Sequence, residues 1–139
     1  MDHQNESLME LIVRLKAKCI DNEIKIMEES NLSPSELHGI EQLNPKEVVS
    51  SKHFSKKMHL SPSRVSRVVE KMVQNGFLIR HDDPIDRRRC KILLSEKGET
   101  VKRKIEMMRR KCERKVRRTL TKREIEHFTL SIKKTIKSL

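Results

Sequence analysis

The chain of 139 residues has no Trp, no Tyr, and only 3 Phe, 3 Gly and 3 Cys. Several classes of protein are closed off by what is missing. There is no glycine-rich phosphate loop, no Ser-His-Asp context and no metal-ligand spacing, so nothing argues for an enzyme or for a cofactor. The cysteines, Cys19, Cys90 and Cys112, are odd in number, widely spaced and without a CxxC pair. Neither a disulfide scaffold nor a zinc knuckle is indicated, and reduced thiols serving as small apolar residues are expected. No apolar run approaches the roughly 18 residues of a membrane helix and no signal peptide is seen, so a soluble, cytoplasmic chain without a membrane partner is expected. Apolar residues make up 35% and charged residues 37%. That balance is lean for a self-sufficient globule, and a second chain sharing the core would make up the deficit.

What is present in excess is positive charge, and it is unevenly placed. The net charge is +12, yet residues 1–49 hold 5 Lys/Arg against 10 Asp/Glu, while residues 50–139 hold 27 against 10. A solvated charged surface needs no such division. A polyanion that touches only one half explains it better.

Apolar residues Leu8, Leu11, Ile12, Leu15, Cys19, Ile26 and Met27 recur at three- and four-residue steps, predicting a long helix over roughly residues 5–29. Ser33-Pro34, with Glu36 at the capping-box offset, opens a short helix over roughly 34–42 that buries Leu37 and Ile40. A further short helix over 51–58 turns Phe54 and Met58 inward. Ser61-Pro62 repeats the serine cap and proline start, and the helix over 62–75 stops at Asn75-Gly76. Two short helices joined by a tight turn make the helix-turn-helix pattern. Phe77, Leu78 and Ile79 form a strand. Asp82-Asp83-Pro84-Ile85-Asp86 is turn chemistry, and a return strand alternates Cys90, Ile92 and Leu94 with Arg89 and Lys91. Ser95 caps a helix over about 96–118 with Val101, Ile105, Met108, Cys112 and Val116 in one stripe. Thr121 with Glu124 starts a last helix whose Ile125, Phe128, Ile132 and Ile136 face inward. The fold class is therefore mostly α with a small β-hairpin. The first helix and the last two have apolar stripes without an obvious partner in the small central module, and packing on one another and on a second subunit is their expected use.

Residues 60–95 carry the chemistry. In the helix that Ser61 opens, Val65, Val68, Met72 and Val69 or Val73 form the inward stripe, leaving Ser63, Arg64, Ser66, Arg67 and Lys71 on the outer arc. A helix fits the DNA major groove, where Arg can donate two hydrogen bonds to guanine and Ser can contact bases or phosphates. Arg64 and Arg67 are the expected base readers, with Ser61, Ser63 and Ser66 beside them. At the hairpin tip Asp86 is followed by Arg87, Arg88 and Arg89. A carboxylate two residues before an arginine can orient its guanidinium, as Asp86 could for Arg88. An arginine on a thin tip can enter a narrow minor groove. A generic turn needs Asp and Pro but not three successive arginines.

From Leu60 to Gly98 these residues resemble the winged helix-turn-helix core of the MarR family of transcriptional regulators. The resemblance rests on Val65-Ser66-Arg67 with Met72, the stop Gly76-Phe77-Leu78-Ile79-Arg80, the wing Asp83-Pro84-Ile85-Asp86-Arg87-Arg88, and the close Leu94-Ser95-Glu96-Lys97-Gly98. One helix before and two after extend it over nearly the whole chain. It implies a homodimer joined by helices in 1–32 and 96–139, with a DNA-binding lobe over 33–95. Two such lobes would read a pseudo-palindromic operator with half-sites about 34 Å apart. Arg88 would lie in the minor groove, oriented by Asp86, and a small-molecule effector would release the DNA. Two departures stand out. Phe54-Ser55 replaces a common Leu-Ala, and the absence of Tyr and Trp removes residues that often line the family's effector pocket.

Further candidates carry a plainer alternative each. Cys19 lies where peroxide-sensing relatives keep a reactive cysteine, with Lys16 and Lys18 near, but it falls on the apolar stripe and a buried structural role is favoured. Cys90 and Cys112 read as core. His38 and Glu41, three apart on a helix, could contribute to a metal site, but no His-x3-His pair completes it and His127 stands alone, so a surface histidine is favoured. The basic run over 102–123, with 12 Lys/Arg against Glu106 and Glu113, either flanks DNA or is a solvated face. The expected function is dimeric, sequence-specific binding of double-stranded DNA to repress transcription. The competing reading is an architectural protein that coats DNA with little sequence preference.

Overall fold

The structure is a computed structural model and describes residues 6–86 and 89–139. The chain divides into two compact units, Met1–Ile105 and Glu106–Leu139. In the first unit come α1 (Leu8–Ser30), α2 (Pro34–Glu41), β1 (Val49–Ser50), α3 (Ser51–Met58), α4 (Pro62–Gln74), β2 (Leu78–Asp82) and β3 (Cys90–Leu94). The helix α5 (Glu96–Thr119) begins in this unit and continues into the second, which α6 (Lys122–Ser138) completes. The expected class, mainly helical with a small antiparallel sheet, is the one observed.

Side-chain caps explain most of the helix starts. Ser7, Ser33, Ser50, Ser61 and Thr121 each accept the backbone N–H three residues on, and Pro34 and Pro62 occupy first-turn positions where no N–H is needed. The capping box expected at Thr121 forms in full: the Glu124 N–H reaches the Thr121 hydroxyl at 3.2 Å, and the Thr121 N–H reaches the Glu124 carboxylate at 2.7 Å. At Ser33 the outcome differs. Its hydroxyl accepts the Glu36 N–H at 3.3 Å, but the Glu36 carboxylate takes the Ser33 hydroxyl at 3.1 Å and reaches across to α4 instead of closing the box.

The sheet has the order β1-β3-β2, all antiparallel, with Leu78 opposite Leu94 and Asp82 opposite Cys90. β1 is an addition to the sequence-based expectation. Two residues are too short to show a period of two, and Val49 becomes a strand only because β3 offers Ile92 as its partner. The core of the first unit is built from α2 (Ile40), the segment after it (Leu43), α3 (Phe54), α4 (Met72) and β3 (Ile92), all fully buried. The first turns of α5 join it through Val101 and Ile105. Close approach there requires Gly98, since a Cβ at that position would lie 2.2 Å from the Phe77 carbonyl oxygen. Lys102, assigned from sequence to an outer basic run, is instead buried and donates to the Glu41 carbonyl at 2.8 Å, closing the C-terminal end of α2.

The long first helix has a single buried residue, Ile26, whereas Leu8, Leu11, Ile12 and Leu15 are exposed. Cys19, favoured as a buried residue, is exposed, and Cys112 is half-buried; Cys90 is buried as expected. In the second unit α6 has no buried residue at all, and Phe128, Ile132 and Ile136 lie open.

Candidate nucleic-acid interface

Two short helices and a tight turn present the candidate surface. α3 ends at His59, whose left-handed backbone (φ 53) reverses the chain. Ser55 holds the turn: its hydroxyl donates to the Leu60 carbonyl at 2.7 Å, and the Leu60 N–H returns to the Ser55 carbonyl at 3.3 Å. The departure at Phe54-Ser55 thus has a local use. Phe54 fills the core and Ser55 ties the two ends of the turn together.

Along α4, Val65, Val69 and Met72 are buried to 2% exposure or less, and Val68 and Val73, also placed on the inward stripe, are only half-buried. The opposite arc carries Ser63, Arg64, Ser66 and Arg67, all exposed. Neither Arg64 nor Arg67 has its guanidinium engaged in an ion pair with another described residue. Both cations stand near the N-terminal end of the helix, where the helix dipole does not stabilise positive charge. Ser61 is exposed as well but has a structural duty, its hydroxyl accepting the Arg64 N–H at 3.4 Å and sharing a 3.2 Å contact with the Ser63 hydroxyl. Lys71, the last of the helix candidates, sits 3.3 Å from the buried Glu36 carboxylate.

The hairpin of β2 and β3 is braced at its neck. Arg80 Nε donates to Asp82 Oδ1 at 2.6 Å, and this bond raises the Arg80 pKa further above its ordinary value. The turn is made by Asp83, whose carboxylate accepts the N–H of Ile85 at 2.9 Å and of Asp86 at 3.3 Å. Those two N–H groups, Ile85 first, hold the Asp83 pKa below its ordinary value. The Asp83 N–H reaches the Arg89 carbonyl, and the Arg89 N–H reaches the Asp86 carbonyl, each at 2.9 Å. Arg89 Nε lies 3.8 Å from Asp86 Oδ2, so Asp86 faces Arg89. Arg87 and Arg88 lie outside the described residues.

Beside α4 lies an open hollow of about 670 Å³, with Val65 and Val69 among its apolar lining and Lys52, Lys56 and Arg80 among its cations. His38 Nδ1 is 3.8 Å from Glu41 Oε2, and among the described residues no group of three His, Cys, Asp or Glu is placed to hold a metal ion. No helix among them is long and apolar enough to cross a membrane.

Helix, turn, second helix with an open cationic arc, and a two-stranded wing together define a winged helix-turn-helix protein. The profile of the MarR family matches residues 32–90, which span α2 to the start of β3. The match covers 59 of the 139 residues, and over them the chain is similar to the MarR family, whose members are regulators of transcription and not enzymes. Three solved structures share its fold. The MepR–DNA complex of S. aureus is 15% identical, with a TM-score of 0.74 over 97% of this chain and 100% of that one. The YusO protein of Bacillus subtilis is 17% identical, with a TM-score of 0.67 over 96% and 100%. MarR itself is 18% identical, with a TM-score of 0.66 over 94% and 93%. No curated protein sequence matches the chain.

The Ser55 tie, the β1 strand and the Glu36 contacts were not apparent from the sequence. Only Val48-Val49, a β-branched pair ahead of a serine cap, hinted at β1.

Proposed function

We propose that the protein acts as a homodimer in the cytoplasm, binding a pseudo-palindromic operator and repressing transcription nearby. The N-terminal turns of α4 enter the major groove, where Arg64 and Arg67 read bases with Ser63 and Ser66 beside them. Arg88 enters the minor groove from the wing, with Asp86, Arg87 and Arg89 around it. Residues 33–95 act as the DNA-binding lobe, and helices in 1–32 and 96–139 join two copies. The observation that carries this reading is the exposed state of Arg64 and Arg67, ion-paired with no other described residue, on a helix whose other side is locked in the core. The open apolar stripes of α1 and α6 support the dimer. A small effector with a negative charge would suit the hollow beside α4, where cations flank an apolar floor.

Selection of bound duplexes from a random pool tests the reading at once, since a dimer returns symmetric half-sites about 34 Å apart. On the selected site, Arg88→Ala weakens binding by about 1–3 kcal/mol, and Arg67→Ala does so while also relaxing base preference. Unchanged affinity and footprint in both variants would remove the roles assigned to them. The net charge of +12 favours a second reading, a protein that coats DNA. Competition against random duplex separates the two: a ratio near one means coating, and a ratio of about a thousand or more means a regulator.

A further inference from the structure

Among the described residues Glu36 is the one buried carboxylate, with 1% of its surface exposed. Its contacts reach from α2 to the far end of α4. Asn75, which caps α4, donates its side-chain amide at 3.2 Å to one oxygen and 3.4 Å to the other, while Lys71 Nζ stands 3.3 Å away. The Asn75 carbonyl in turn accepts from Lys97 Nζ at 2.9 Å, and that ammonium lies 4.5 Å from the centre of the Phe77 ring. α2 and α4 are already so close that a Cβ on Gly39 would stand 2.9 Å from Met72 Sδ.

A buried carboxylate is a poor way to gain stability, because desolvation offsets most of what its partners return. What it offers over an apolar residue is direction. Charge-assisted hydrogen bonds fix the rotation and height of the helix they hold, whereas methyl contacts permit sliding.

We propose that Glu36 is a positioning residue for DNA recognition, fixing through Lys71 and Asn75 the tilt at which α4 presents Arg64 and Arg67. Lys71 is its counter-ion, not a phosphate contact. The lever is long: Arg64 is seven residues from Lys71, about 10.5 Å along the axis, so a tilt of about 10° moves it roughly 2 Å. A displacement of that size loses paired hydrogen bonds to a base edge while leaving charge attraction to the backbone intact. The inference rests on the reading that α4 enters the major groove.

The test compares the intact protein with Glu36→Ala, Glu36→Gln, Lys71→Met and Glu36→Gln/Lys71→Met. Affinity is measured on a selected duplex and on random duplex over a range of salt, below the melting temperature of each variant. Glu36→Ala lowers the selected-to-random ratio about tenfold and leaves random-duplex affinity within about twofold. Glu36→Gln, which keeps an acceptor for Asn75, lowers it less. Lys71→Met lowers the ratio without changing the slope of log affinity against log salt, whereas loss of a phosphate contact would reduce that slope by about one. The double variant falls little further than the more affected single variant, because both substitutions remove the same contact, and fully additive losses overturn the proposal. An unchanged ratio in folded Glu36→Ala, equal losses on both duplexes, or a reduced slope in Lys71→Met overturns the proposal. Should Glu36→Ala not fold, Glu36→Gln decides by the same ratio, and no change there overturns it. A ratio near one in the unmodified protein sinks the regulator reading and this inference together; a high ratio that no variant alters sinks this inference alone.

Discussion

The winged-helix lobe and the helices that flank it handle their apolar residues in opposite ways. In the lobe Phe54, Met72, Ile40 and Ile92 are sealed from water within one chain. In α1 only Ile26 is buried, and in α6 nothing is, although both helices have regular apolar stripes. The lobe closes its own core, while the flanks carry the pattern of a core without its second half. An amphipathic helix specifies a face to be covered but not what covers it. The buried apolar residues are thus concentrated where one subunit can use them alone.

Four substitutions and one change of condition test this division, beginning with the largest effect. Phe54→Ala in the lobe should cost about 3–5 kcal/mol in denaturant unfolding, whereas Ile136→Ala at the open end of α6 should stay within about 0.5 kcal/mol in the monomer. Equal costs would mean that the flanks are packed as the lobe is. Gly98→Ala, which drives a methyl group into the Phe77 carbonyl, should cost about 1–3 kcal/mol and show whether the first turns of α5 belong to the lobe. On the exposed stripe of α1, Leu11→Glu should leave the melting of the lobe nearly unaltered yet raise the dimer dissociation constant by about tenfold or more, as read by sedimentation. A monomer-dimer balance indifferent to this charge would break the contrast.

The smallest effect concerns acid. The folded-state pKa of Asp83 lies below its ordinary value, and so does that of Glu124, held down first by the Thr121 N–H. For a lowered carboxylate the stabilisation is complete above the ordinary value and is lost as pH falls through the folded one. Both the wing turn and the start of α6 should therefore loosen together below about pH 4, and amide exchange at Ile85 and Thr121 would show it. Loosening in the wing alone would indicate that the α6 cap is held by something beyond its own box.

Local signals were legible wherever a short stretch determines its own geometry. Ser61-Pro62, Asn75-Gly76 and Thr121 with Glu124 mark helix ends through caps that involve only neighbouring residues, and each is found in place. Cys90, Ile92 and Leu94 alternate because one face of β3 meets the core. Errors arose where a residue had a choice of partners distant in sequence. Glu36 fits a capping box by spacing but turns toward Asn75, 39 residues away. Lys102 belongs by position to a basic run and by contact to the end of α2, 61 residues back. Val49 is a strand only beside Ile92.

For this protein, then, the order of elements, the helix-turn-helix and wing, the cationic arc of α4 and the amphipathic flanks were all set by the sequence alone. They depend on periodicity, capping and turn chemistry, which act over a few residues. Tertiary structure decided which charged groups stay outside to meet another molecule and which are drawn in. Arg64 and Arg67 stay exposed, Lys71 is exposed yet paired to the buried Glu36, and Lys102 is enclosed. The physical reason is that burial of a charge is settled by whether a partner waits at the right distance. Only the packed chain brings such partners together.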